Sequence, residues 1–68
     1  MLTLKDLTSL VRSNTVLLID NRSKIGGVVE TTAGAAWFEL LTTGARLRVD
    51  YITPENSRLL VTVSKVDA

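Results

Sequence analysis

Cysteine and histidine are both absent from this chain of 68 residues. Without cysteine, no disulfide, thiol nucleophile or thiolate metal site can form. Without histidine, the chain lacks the usual base near neutral pH and the commonest metal ligand. A zinc site would need carboxylates alone, which is rare. The composition therefore predicts no metal site and no cofactor.

A strong excess of either charge is also lacking, because eight Lys and Arg residues face seven Asp and Glu residues. A net charge of +1 is a poor electrostatic footprint for non-specific DNA binding, which needs several clustered cations. No apolar run approaches the 18 residues of a transmembrane helix, and "MLTLKDLTSL" is unlike a signal peptide. We therefore expect one small soluble domain spanning residues 1–68, in the cytoplasm.

The N-terminal stretch is typical of a short amphipathic helix over residues 4–12. Its apolar stripe consists of Leu4, Leu7, Leu10 and Val11. Thr3 is a suitable N-cap, and Asp6 lies three residues on, where a carboxylate meets free N–H groups. So short a helix is unstable alone, which predicts that its stripe packs on the rest of the chain.

The segment "TVLLID" predicts a strand buried on both faces, and "IGGVVE" predicts its antiparallel partner. Between them, "DNRSKIGG" has the glycines and cations of a phosphate loop. It lacks the spacing of known phosphate-binding motifs, and a strand rather than a helix follows it. We therefore interpret residues 20–24 as a hairpin turn using Asp20 and Asn21, with Gly26 and Gly27 at a bulge or close approach.

The segment "TTAGAAWFELLTTG" predicts a second helix, with Thr32 as its N-cap and Gly44 just past its end. A second interpretation makes residues 35–41 a strand. Trp37 and Phe38 are neighbours, so on a helix they point about 100° apart. Because a small core has few large side chains, we expect both to be buried; the alternative leaves one exposed as a binding anchor.

The clearest pattern is the C-terminal alternation of "RLRVDYI" and "RLLVTVSK", which predicts an antiparallel hairpin with its turn in "TPENS" at Pro54. The expected register pairs Tyr51 with Leu59, Val49 with Val61 and Leu47 with Val63, which gathers the apolar residues on one face. The opposite face then carries Arg46, Arg48, Asp50, Ile52, Arg58, Leu60, Thr62 and Ser64.

Helix, hairpin, helix and hairpin together predict an α+β domain with a mostly antiparallel four-stranded sheet. The simplest interpretation of the polar face of the last hairpin is that it is exposed to solvent and binds nothing. A phosphate-binding or partner-binding patch is the alternative, because arginine forms bidentate bonds to anions. Tyr51 is expected on the apolar face, so the stacking aromatic of a nucleic-acid surface is missing.

Catalysis has little support in the sequence. The serines have no histidine to activate them, and the carboxylates are scattered through the chain without a spacing that pairs them. A chain of this size also offers little room for a ligand pocket of about 300 Å³ or more. We therefore expect a protein that is not an enzyme.

Four stretches resemble a loose group of small uncharacterised proteins encoded by bacteriophages and prophages. They are "LKDL" at 4–7, "TVLLID" at 15–20, "VDYI" at 49–52 and "NSRLLVTV" at 56–63. The resemblance covers most of the chain and departs at "AGAAWFELLTTGA", which is longer and more apolar. The resemblance implies a small accessory protein that acts inside a bacterial host. It does not point to any particular activity.

The leading hypothesis is a non-catalytic interaction module that binds a protein. Its expected contact residues are Arg46, Arg48, Arg58 and Leu60 on the sheet face, or Trp37 and Phe38. One alternative is a nucleic-acid-binding protein that uses the three arginines. The other is a self-associating structural protein, such as a homodimer.

Overall fold

A computed structural model describes residues 1–23 and 27–66 of the chain. The elements, in chain order, are α1 (Leu4–Leu10), β1 (Val16–Asn21), β2 (Val28–Thr32), α2 (Ala33–Thr43), β3 (Leu47–Glu55) and β4 (Arg58–Lys65). The predicted α+β class, with two helices and four strands, is confirmed.

Helix α1 begins with a capping box. The Asp6 N–H donates to Thr3 Oγ1 at 3.2 Å, and the Thr3 N–H donates to Asp6 Oδ2 at 3.3 Å. The helix ends at Leu10, two residues earlier than expected, because Val11 already has extended backbone. The predicted cap is therefore correct, whereas the predicted C-terminal end is too long.

Helix α2 covers the segment that the sequence left open between helix and strand. Thr32 Oγ1 accepts a hydrogen bond from the Ala35 N–H at 3.3 Å, as expected for the N-cap. Gly44 has a φ of 69°, and its N–H donates to the Leu40 carbonyl at 2.9 Å. Residues 35–41 are therefore helical, and both predicted boundary residues have their expected roles.

The four strands form one mixed sheet in the order β2-β1-β4-β3. Each hairpin is antiparallel, and the central strands β1 and β4 are parallel. Both helices pack on the same face of the sheet, where the core forms. We refer to the opposite face, which the described residues leave uncovered, as the outer face.

The core is built from leucine, valine and alanine. Its buried members are Leu4, Leu7, Leu17, Ala33, Ala36, Leu40, Val61 and Val63. Strand β1 is not buried on both faces as predicted, because Leu17 faces the helices while Val16 and Leu18 are half-buried on the outer face. All three aromatic residues of the chain lie outside this core.

The β3–β4 register differs from the predicted one. Val49 pairs with Val63, two residues from its expected partner, and the ladder resumes at Tyr51 opposite Thr62 with Asp50 as an extra residue. Beyond this β-bulge, the residues of β3 lie on the faces of the sheet opposite to those that the simple alternation predicts. Strand β3 also continues through Pro54, which edge strands accept because a proline there removes no ladder hydrogen bond.

The turn after β1 is stabilised by Asn21, the last residue of the strand, whereas Asp20 pairs with Val28 within the sheet. Asn21 Oδ1 accepts a hydrogen bond from the Ser23 N–H at 3.0 Å. Gly27 has a φ of 76°, and a Cβ added there would meet no atom of the described residues within 4 Å, so the close approach expected there is wrong. The predicted bulge residue Gly26 and the rest of residues 24–26 lie outside the described part of the chain.

Candidate functional site

Helix α2 presents a contiguous apolar surface to solvent, which we call the aromatic face: Trp37, Phe38 and Leu41. Trp37 is 37% exposed, Phe38 is 65% exposed and Leu41 is 51% exposed. Residues one turn apart on a helix are surface neighbours, so Leu41 lies beside both aromatic side chains. The expectation that Trp37 and Phe38 are both buried is wrong.

The packing of α2 explains why the aromatic residues face outwards. The helix buries Ala33, Ala36 and Leu40, which share one side. Its N-terminal turn is tied to the α1–β1 connection, where the Ala33 N–H donates to the Thr15 carbonyl at 2.9 Å and the Gly34 N–H to the Ser13 carbonyl at 2.8 Å. Small residues in the N-terminal half of α2 allow this close approach, so the large side chains of Trp37 and Phe38 lie on the opposite side of the helix.

The outer face of the sheet is a second candidate surface, and the bulge at Asp50 changes its composition. Tyr51 pairs with Thr62 and therefore joins the outer face, where it is 63% exposed. Ile52 pairs with Val61 and moves to the helix side. The alternation in the sequence predicts the opposite arrangement, with Tyr51 on the apolar face and Ile52 on the polar face, and that prediction is wrong.

The structure does not bring the predicted arginine patch together, because Arg48 pairs with Ser64 and Arg58 lies six residues away from Ser64 along β4, which is roughly 20 Å at about 3.3 Å per residue. Arg58 pairs with Glu55, and both arginines lie on the outer face with the half-buried Leu60. Arg46 instead precedes β3 and lines a recess at the C-terminal end of α2.

Carboxylates neutralise the arginines of the outer face. Arg48 Nε lies 2.9 Å from Asp50 Oδ1, and Arg58 Nε lies 3.0 Å from Glu55 Oε1. Partial burial raises the pKa of Asp50, but hydrogen bonds from Ser64 and Arg48, with the charges of Arg48 and Arg22, hold that pKa below its ordinary value. Asp50 is therefore a carboxylate, and it satisfies Arg48 internally.

A third feature is a groove of about 460 Å³ between α2 and the β1–β2 hairpin, which we call the β2 groove. Its walls include Ile19 and Val29 from the strands and Ala36 and Leu40 from α2. Strand β2 continues directly into α2, yet the helix does not close over it. This groove was not expected from the sequence, because so short a chain offers little room for one.

Within residues 1–23 and 27–66, no three side chains of the metal-binding types come together. Over the same residues, no helix has the length and apolarity to cross a membrane. No protein-family model, curated protein or solved structure matches this chain. The features that bear on function are thus the aromatic face, the outer face and the β2 groove.

Proposed function

We propose that the protein is a non-catalytic interaction module that binds a protein partner through the aromatic face. One observation carries the proposal: the chain has one Trp, one Phe and one Tyr, and all three are exposed. Large aromatic side chains contribute the most to a core per residue. Leaving them in water forgoes that stability, and an interface that covers them recovers it.

The free energy available from covering the aromatic face is large enough for a specific interface. Fully burying a side chain such as Phe contributes about 1.5–3 kcal/mol, and Phe38 and Leu41 are each more than half exposed. A partner that covers both residues and Trp37 therefore gains several kcal/mol of apolar burial. Clustered aromatic anchors of this kind dominate the binding energy of many interfaces.

The partner that this surface suits is an apolar, concave protein surface that accepts one side of a helix. Leu41 lies four residues after Trp37 and three after Phe38, and these are spacings of the anchors in helix-in-groove recognition. Because α2 is already folded and capped at Thr32 and Gly44, binding costs little ordering of its backbone. The proposal places the protein in the cytoplasm, as an accessory protein of phage or prophage origin.

The test compares immobilised wild-type protein with two exposed-aromatic variants in a lysate of the cells that encode it. We expect Phe38→Ser to lose a protein that the wild type retains, and Tyr51→Ser, on the outer face, to keep it. If Tyr51→Ser loses that protein and Phe38→Ser retains it, the aromatic face is not the binding surface. If none of the three immobilised proteins, the wild type included, retains a protein, the proposal fails.

A second copy of the chain is the other partner that this surface could accept. Two aromatic faces in contact would form an isologous dimer. Sedimentation velocity separates this case from a hetero-complex, because a dimer that Phe38→Ser dissociates identifies the chain itself as the partner.

Nucleic-acid binding is the second candidate function, and Tyr51 is the observation that favours it. The bulge places Tyr51, a potential stacking aromatic, on the face that carries Arg48 and Arg58, where the predicted register has none. The charges argue the other way, because both arginines are ion-paired. This candidate predicts binding to RNA or DNA that weakens steeply with salt and is lost in Tyr51→Ser; the absence of binding at low salt rejects it.

A further inference from the structure

The two edges of the sheet differ in how they are protected from additional strands. The β3 edge is guarded by Pro54 and by the bulge at Asp50. The N-terminal segment also covers it, since the Val49 N–H donates to the Leu2 carbonyl at 2.8 Å and Thr3 bridges to Arg48. Proline, bulges and covering segments are the usual devices that stop strand addition.

The β2 edge has none of these devices in the described part of the chain. Strand β2 has five residues, "VVETT", with no proline and an unbroken register against β1. Among residues 1–23 and 27–66, β1 is its only strand partner, so backbone N–H and C=O groups along its other side are free. Val28 and Val29 are each more than half exposed there. Such an edge is a template for another strand.

The β2 groove lies immediately beside this edge. Val29 and Thr31 line the groove because they pair with Ile19 and Leu17 on the helix side of the sheet. Side chains alternate along a strand. A strand added beside β2 would therefore direct every second side chain towards the groove, whose volume of about 460 Å³ accommodates aliphatic side chains.

The charge around the groove indicates the chemistry of the added strand. Glu30 and Glu39 line the groove, and its described lining includes no Lys or Arg. Although Glu30 borders the groove, it pairs with Leu18, so its side chain lies on the outer face of the sheet edge and of the two only Glu39 presents its carboxylate on the helix side. Opposite charges on neighbouring strands stabilise pairing, so a Lys or Arg suits the position opposite Glu30.

We propose that β2 and the β2 groove bind an extended segment of a partner protein, with the pattern aliphatic–Lys/Arg–aliphatic, which adds to the sheet as a fifth strand. The two aliphatic side chains enter the groove and the cation lies against Glu30. Backbone hydrogen bonds to β2 supply affinity, and the groove and carboxylate supply specificity. This surface is separate from the aromatic face and does not depend on the proposed function.

Charge also distinguishes this occupant from a second copy of the chain. Antiparallel pairing of two β2 strands about their centre would place Glu30 opposite Glu30, and like charges directly opposite are destabilising. A separate segment that carries Lys or Arg has no such repulsion.

The experiment is a titration of ¹⁵N-labelled protein with a capped peptide that contains valine–lysine–valine, followed by amide chemical shifts. We expect shifts in β2 and at Ala36 and Leu40, and slower exchange of β2 amides. A peptide N-methylated on the amides that face β2 should not bind, because strand addition needs those donors. Equal binding of the methylated peptide, or shifts confined to other surfaces, would overturn the proposal.

Charge exchange tests the specificity. Glu30→Lys, at an exposed position, should weaken the valine–lysine–valine peptide about tenfold, since an attraction becomes a repulsion across the strands. The same variant should bind a valine–glutamate–valine peptide that the wild type rejects. Glu55→Lys, at the guarded β3 edge, is the matched control and should bind as the wild type does.

Three outcomes of these titrations overturn the proposal. In the first, Glu30→Lys leaves both affinities unchanged. In the second, no peptide shifts β2. In the third, β2 shifts with protein concentration alone and sedimentation shows a dimer, which makes a second copy the occupant.

Discussion

Leu40 and Leu41 are adjacent in α2 and allow the same substitution to be compared at a buried and an exposed site. Leu40 is 7% exposed and belongs to the core, whereas Leu41 is 51% exposed and belongs to the aromatic face. Leu40→Ala and Leu41→Ala remove the same atoms from the same helix. Any difference between the two variants therefore reports burial and not helix propensity.

The expected magnitudes follow from the surroundings of each residue. Buried Leu→Ala changes cost about 2–5 kcal/mol, and the cost rises with the cavity left behind. Leu40 also lines the β2 groove, so water or side chains can enter the space, and we expect a cost of about 2–3 kcal/mol, at the low end of that range. Leu41→Ala should cost under about 1 kcal/mol, since alanine is the better helix former.

Urea unfolding followed by far-UV circular dichroism measures both values. A chain of this length has a stability of roughly 3–10 kcal/mol, so Leu40→Ala should lower the midpoint strongly and Leu41→Ala only slightly, with similar m-values. Equal destabilisation by the two changes would show that the aromatic face is packed in solution, and it would refute the account of α2.

Three further predictions concern the α1 cap, Gly27 and Gly34. Hydrogen bonds from the Thr3 side chain and backbone lower the pKa of Asp6 below its ordinary value of 3.8. Ionised Asp6 therefore stabilises the fold above that pH, and this contribution is lost as the pH falls through the lower folded pKa. The thermal stability of Asp6→Asn should depend less on acidity than that of the wild type, and parallel pH profiles of the two proteins would contradict this. Gly27→Val should destabilise the protein more than Gly27→Asn, because Gly27 has a positive φ that asparagine tolerates better than valine. Gly34→Val should destabilise the protein because a Cβ at residue 34 would meet Ser13 Cβ at 3.1 Å. Urea unfolding measures both effects, and equal stability of the two Gly27 variants, or no loss of stability in Gly34→Val, would contradict these causes.

The sequence predicted the local features of the fold well because their causes are local. Thr3 with Asp6, and Thr32 with Gly44, mark helix boundaries through hydrogen bonds within a few residues. Two hairpins followed from alternation and turn residues. The parallel pairing of β1 with β4 joins distant segments, and no local pattern specifies which strands become neighbours.

The β3–β4 register shows where alternation stops being informative. An extra residue at Asp50 leaves the apolar pattern readable but exchanges the faces of Tyr51 and Ile52. Pro54 was expected in the turn because proline favours turns. It lies instead in β3, an edge strand, where the missing N–H of proline is tolerated. The bulge thus places Tyr51 on the outer face.

The candidate surfaces were predicted in part. Trp37 and Phe38 were identified as anchors, but their burial was expected because a small core usually takes its largest residues. Close packing of α2 through Ala33 and Ala36 excludes them. The β2 groove has no sequence signal of its own, because it arises from the space between α2 and the hairpin.

The most direct test of the central claim is the retention of a single partner by wild-type and Phe38→Ser baits, quantified by mass spectrometry with Tyr51→Ser as the control. The account predicts that Phe38→Ser loses the partner while Tyr51→Ser retains it at the wild-type level. Retention by Phe38→Ser equal to that of the wild type would contradict it.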